Sequence, residues 1–192
     1  TDSTNKSTNS ITNTDTNIGE RLFLFTNNSQ VHLGNLFLQS ESLPTTANAT
    51  TTTFQSGRKR GGLLYIDQSA QVYLTNTTLQ HSQVEGDGGA IYVSTGASVS
   101  LHACTVFNCS ANNNGGGIFV AEDSGNISLL SSSLIQNSAP NGTAGALYRS
   151  GNSRVQITNS FFLKNLASES GALYLANGSS SVENTTFQSN FG

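Results

Sequence analysis

Charged side chains are scarce in this chain: 8 Lys and Arg and 11 Asp and Glu make up 10% of its 192 residues. Exposed helices normally present Glu and Lys to solvent, so this scarcity argues against a helical surface. A net charge of -3 and a pI near 5.5 argue against nucleic acid as a partner, because such binding needs a concentrated basic face. The one basic cluster, Arg58-Lys59-Arg60, reads as the solvated end of a loop. No apolar run approaches the roughly 18 residues of a membrane span. Met is absent and no signal peptide is visible, so Thr1 is read as the start of a mature or excised piece whose parent continues in at least one direction. Only two cysteines occur, Cys104 and Cys109. They are either a local bridge across a turn or two small buried side chains.

Ser, Thr, Asn and Gly fill the space that charge leaves, and they are arranged periodically. Five segments share one short pattern: Gly61-Gly62-Leu63-Leu64-Tyr65, Gly88-Gly89-Ala90-Ile91-Tyr92, Gly115-Gly116-Gly117-Ile118-Phe119, Ala144-Gly145-Ala146-Leu147-Tyr148 and Ser170-Gly171-Ala172-Leu173-Tyr174. They step by 27, 27, 29 and 26 residues. Between them recurs Val72-x-Leu74, Val99-x-Leu101, Ile127-x-Leu129 and Val155-x-Ile157. A third register follows at Leu79, Val106, Leu134, Phe162 and Phe187, and three residues beyond each lies Ser82, Cys109, Asn137, Asn165 or Asn190. An earlier copy, Leu24 through Gln39, aligns with Tyr65 through Gln80 at an offset of 41. The surplus falls at 42–60, which reads as an inserted surface loop. Residues 1–18 carry almost no apolar material and read as a polar linker or extended arm, leaving 19–192 as the repeat domain.

Each copy contains three short β-prone runs with two-residue alternation, separated by Gly, Asn or Ser. Nothing has the 3.6-residue spacing of an amphipathic helix. A unit this small cannot bury its apolar face alone, whereas stacked copies bury a continuous core. The fold expected is therefore all-β: a right-handed parallel β-helix, three-sided, with about 27 residues per rung and about six rungs, roughly 25–30 Å long. A β-sandwich does not require successive copies to match column by column, as these do. Leu64, Ile91, Ile118, Leu147 and Leu173 are expected to form one internal ladder, and Leu74, Leu101, Leu129, Ile157 and Val182 another. Asn137, Asn165 and Asn190 are expected to form a structural amide ladder at a corner. Thr77, Cys104, Ser132, Ser160 and Thr185 make a column of small residues suited to a tight bend.

The pairing of a tetrad such as Gly88-Gly89-Ala90-Ile91 with Phe162-Leu163-Lys164-Asn165 and Phe187-Gln188-Ser189-Asn190 resembles the repeat of the chlamydial polymorphic outer membrane proteins. The likeness covers about 61–190 and departs at Val106-Phe107-Asn108-Cys109 and Leu79-Gln80-His81-Ser82. It implies a right-handed β-helix exposed at a cell surface, in adhesion or surface architecture. The C-terminal barrel by which those proteins reach the surface has no counterpart in this sequence.

Candidate chemistry is thin. Glycoside hydrolysis needs two carboxylates roughly 5–9.5 Å apart. Asp87 and Glu169 share a column but are three rungs, roughly 14 Å, apart. Glu122 and Asp123 are adjacent and would point apart. Glu85 and Asp87 are the nearest pair, with no basic residue on their rung. His32, His81 and His102 fall in different columns, so no metal cluster follows, and Gly86-Asp87-Gly88-Gly89 reads as a plain turn. Neither enzymatic activity nor a cofactor is expected. The column Tyr65, Tyr92, Phe119, Tyr148 and Tyr174 either stacks on the outer face, where it could grip sugars or another subunit, or packs inside against Ala90, Gly117, Ala146 and Ala172.

Nine N-glycosylation sequons occur, at Asn5, Asn27, Asn48, Asn76, Asn108, Asn126, Asn141, Asn177 and Asn184. That is modestly above the roughly six that 22 Asn and 50 Ser or Thr give by chance. Asn126, Asn141 and Asn177, at turns, are the expected carriers in a eukaryotic source. The expected role is a structural extracellular or cell-surface glycoprotein, one segment of a fibre, stalk or filament. Its ends would be covered by end-to-end self-association or by continuation of the same chain. An adhesin module that binds glycans or proteins through the outer face is the alternative.

Overall fold

A computed structural model describes residues 23–26, 28–39 and 60–192. The expected arm at 1–18 and all of the expected loop except Arg60 lie outside them. Every described strand pairs in parallel with its equivalent in the neighbouring copy. One six-stranded sheet stacks Phe23–Phe25, Leu64–Ile66, Ile91–Val93, Ile118–Val120, Leu147–Ser150 and Leu173–Ala176. A second stacks Gln30–Gly34, Gln71–Thr75, Ser98–His102, Ile127–Leu130, Val155–Thr158 and Ser180–Glu183. The third stacks Phe37–Gln39, Thr78–Gln80, Thr105–Phe107, Ser133–Ile135, Phe161–Leu163 and Thr186–Gln188. The chain is thus a parallel β-solenoid. Ile91 pairs with Leu64 on one side and Ile118 on the other. The offset of 41 is realised as Leu24 opposite Tyr65.

The strands are short because each coil must turn before a flat side grows long, and their alternation sorts side chains cleanly. In Gln71–Thr75, Val72 and Leu74 are buried while Gln71 and Thr75 face water. The inward residues form one continuous core from Phe25 to Phe162. Each aliphatic side chain stacks on its equivalents in the neighbouring coils, and the three main sheets share this one core.

A fourth sheet was not expected. Gln83–Val84, Ser110–Ala111, Ser138–Thr143 and Leu166–Glu169 pair in parallel, so four coils carry four strands, while the described parts of the first and last carry three. Its strands are as short as two residues, with one small apolar side chain (Val84, Ala111, Ala139, Ala167) turned inward in each. Two residues give no alternation to read. This sheet explains the tetrad glycines. A Cβ on Gly62 would lie 3.1 Å from Val84 Cγ1, on Gly89 2.8 Å from Ser110 N, and on Gly145 2.6 Å from Leu166 N. The second tetrad position is glycine in all five copies because a Cβ would meet close neighbours there: fourth-sheet backbone at Gly89, Gly116 and Gly145, Ser82 Oγ and Val84 at Gly62, and the Phe191 backbone at Gly171. The first position has a left-handed backbone, φ from 57° to 71°, and is filled by Gly61, Gly88, Gly115, Ala144 and Ser170.

Two further corners carry one left-handed residue per coil. Asn35, Asn76, Ala103, Ser131, Asn159 and Asn184 occupy one, with φ from 47° to 57°. His81, Asn108, Gln136, Lys164 and Ser189 occupy the other, with φ from 49° to 55°. Asn tolerates this region better than other non-glycine residues, and five Asn occupy these two corners.

Candidate functional site

Polar side chains at the corners bond from coil to coil. In the amide ladder, Asn165 Oδ1 accepts from the backbone N–H and Nδ2 of Asn137 at 2.9 and 3.1 Å. Asn190 Oδ1 accepts the same pair from Asn165 at 3.0 and 2.8 Å. Each Nδ2 also donates back one coil, from Asn137 to Val106 O and from Asn165 to Leu134 O. The ladder ends where Asn137 Oδ1 takes the Cys109 N–H, at 3.1 Å. Below that, the buried Ser82 hydroxyl has no partner.

The small-residue column is a hydroxyl ladder. Ser132 Oγ donates to Leu130 O at 2.9 Å and accepts the Cys104 N–H at 3.2 Å. Ser160 and Thr185 repeat the arrangement.

The acidic residues belong to a third ladder. Asp87 Oδ1 accepts from the Asn114 N–H and Nδ2 at 3.1 and 3.2 Å. Asn114 Oδ1 accepts the Thr143 N–H at 3.0 Å, and Thr143 Oγ1 donates to Glu169 at 3.4 Å. Asn114 and Thr143 therefore stand between Asp87 and Glu169. His32 stacks on Tyr73, His81 meets the edge of Phe107 and the amide of Asn108, and His102 is exposed. Among the described residues no group of three His, Cys, Asp or Glu could hold a metal ion.

Tyr65, Tyr92, Phe119, Tyr148 and Tyr174 point away from the core, because their neighbours Leu64, Ile66, Ile91, Val93, Ile118 and Val120 are fully buried. Successive ring centroids are 5.0, 5.0, 5.1 and 5.1 Å apart with interplanar angles of 13° or less. The three inner rings spend both faces on one another, leaving only edges. Tyr92 is 6% exposed and Phe119 9%. The Arg60 guanidinium lies 5.1 Å from the Tyr92 ring centroid, and the Arg60 backbone bridges to Asp87. The end of the basic cluster is therefore docked on the next coil. Burial raises the Tyr92 and Tyr148 phenols above their ordinary range, with Arg60 opposing it at Tyr92.

Arg149 turns inward. It is 1% exposed, in a column otherwise filled by Phe25, Ile66, Val93, Val120 and Leu175. Its guanidinium donates to Ser153 O at 2.5 Å and to Ser180 Oγ at 2.8 Å, while Nε has no partner. Burial lowers its pKa.

Cys104 and Cys109 are free and buried. They are not bridged to each other: the strand Thr105–Phe107 and the left-handed corner at Asn108 lie between them. Burial pushes the Cys109 thiol up to about 12 and raises that of Cys104.

All six sequon asparagines among the described residues, Asn76, Asn108, Asn126, Asn141, Asn177 and Asn184, are exposed. Asn5, Asn27 and Asn48 lie outside the described residues. Asn141 sits in a bulge of the fourth sheet, where pairing slips between Ala139 and Thr143, and its Nδ2 donates to Asn112 at 2.7 Å. Asn76, Asn108, Asn177 and Asn184 have left-handed backbones. In Asn76-Thr77-Thr78 and Asn184-Thr185-Thr186 the sequon is a left-handed corner residue followed by a hydroxyl-ladder residue and the first residue of a strand.

The last coil exposes what earlier coils bury. Phe187 is 45% exposed although it stacks on Phe162, which is 0% exposed, and Val182 is 42% exposed above a fully buried Ile157. No helix long and apolar enough to cross a membrane occurs among the described residues. No protein-family model, curated protein or solved structure matches the chain.

Proposed function

We propose that the chain is a structural rod segment at the cell exterior, built to be extended along its axis by further coils of the same kind. The observation that carries this reading is the continuous register of the three six-stranded sheets up to a last coil that leaves Val182 and Phe187 open to water. A coil placed on that surface would bury both side chains and complete three rows of strand hydrogen bonds. Open strand edges of this kind otherwise invite uncontrolled pairing.

The polar side chains with chemical capacity support the same reading, because Asp87, Glu169 and the amide and hydroxyl columns are engaged in joining one coil to the next. The exterior location rests on the exposed sequons, the abundance of Ser, Thr and Asn, and the likeness of the repeat to chlamydial surface proteins. Electron microscopy and sedimentation of the purified chain test it. Linear assemblies are expected, with an axial repeat of about 29 Å for six coils, and the double variant Val182→Asp, Phe187→Asp is expected to leave single particles. Wild-type protein that stays monomeric at every concentration would refute the reading.

A further inference from the structure

The outer face of the second sheet carries a ring stack that stops short. Its central outward column runs His32, Tyr73, Ser100, Ser128, Gln156 and Ser181. His32 and Tyr73 stack with centroids 4.6 Å apart and an interplanar angle of 8°. The next position holds Ser100, so the second face of Tyr73 has no ring against it. The result is a notch of about 190 Å³ lined by Gln71, Val72, Tyr73, Ser98, Val99, Ser100 and Asn126. Val72 and Val99 turn their side chains into the core, so they supply only backbone floor. The wall is Tyr73, whose hydroxyl is tied to Gln71 Oε1 at 3.1 Å. On the opposite rim, the Asn126 N–H donates to Ser98 Oγ at 3.1 Å. The Ser100 hydroxyl and the Asn126 side-chain amide bond to no other described residue.

We propose that this notch binds one ring of a neutral sugar, seated on the free face of Tyr73 and hydrogen-bonded by Ser100, Asn126 and Gln71. A pyranose presents an apolar C–H face to an aromatic ring and hydroxyls around its edge, which matches one ring face bordered by amides and hydroxyls. The lining carries no charge, which disfavours phosphates and acidic ligands. Both strands of the floor are already paired on both sides, so an extended peptide has no edge to join. In the outer aromatic ladder the three inner rings cover each other's faces.

Two sources supply this chemistry: a free glycan, or a glycan attached at Asn126, whose sequon lies on the rim. The test titrates unglycosylated full chain with methyl glycosides of neutral hexoses and N-acetylhexosamines, following backbone amide resonances. Shifts confined to Gln71, Ser98, Ser100 and Asn126 are expected, with a dissociation constant on the order of millimolar. Ser100→Phe, which would continue the ring stack into the notch, and Tyr73→Ala should each weaken binding at least tenfold while the melting temperature shows the fold intact. If no glycoside shifts these resonances at about 100 times that concentration, or if Ser100→Phe binds as wild type does, the proposal is overturned. Chain carrying a glycan at Asn126 distinguishes the sources: lost binding of added glycoside identifies the attached glycan as occupant, and retained binding identifies a free one. The rod reading is judged by assembly state, so a negative titration leaves it standing.

Discussion

At the residue scale, the two tetrad glycines do different work and should respond differently to substitution. Gly89→Ala places a methyl 2.0 Å from Gly116 O and 2.8 Å from Ser110 N. Both are backbone, which cannot step aside singly, so a loss of about 3 kcal/mol or more is expected in denaturant unfolding. Ser170 is exposed with φ of 57°. Ser170→Gly relieves a left-handed L-residue and should gain about 0.5–1 kcal/mol. Cys109 makes a second residue-scale prediction. Its folded pKa of about 12 lies above the ordinary 9.0, so the folded state holds the proton more tightly. That contribution is fully present below pH 9 and is lost as pH rises towards 12. Wild-type protein should therefore lose more stability than Cys109→Ala over this window, and neither thiol should react with an alkylating reagent until the chain unfolds.

At the scale of elements, the corner ladders set the register of the sheets. Asn165→Ala removes the acceptor for Asn137 N–H and leaves Leu134 O without its side-chain donor. Each buried group left unpaired costs about 1–3 kcal/mol, and thermal unfolding should show a large drop. Cys109→Asn is the opposite experiment. It places an amide where the ladder breaks off, with Leu79 O and the unpartnered Ser82 hydroxyl below it, and a gain in melting temperature is expected. The ladder positions were legible in the sequence because Asn recurs at Asn137, Asn165 and Asn190 in one register. The ladder joining Asp87, Asn114, Thr143 and Glu169 was not, because four different residue types perform one task and only backbone register lines them up. The fourth sheet escaped for a similar reason: Gln83-Val84 and Ser110-Ala111 are too short to show a period.

At the scale of the whole molecule, stability should behave as a sum over neighbouring coils, since a solenoid's contacts run only between adjacent repeats. Gly89→Ala, between central coils, should therefore disrupt the rod more than Gly171→Ala near its exposed end. Hydrogen exchange should show protection highest in Ile91–Val93 and Ile118–Val120 and lowest in Thr186–Gln188, which is exposed along its length.

The sequence by itself determined the period, the parallel stacking and the identity of the inward columns. Those follow from apolar residues recurring at equal spacing, and only vertical packing satisfies all registers together. The tertiary structure decided which polar groups meet across coils, which side of the sheet the aromatic column takes, and that Arg149 turns inward among aliphatic neighbours. It also revealed the open face of Tyr73. These depend on which residue lies one coil above, a relation between positions some 27 apart that composition and local alternation do not encode.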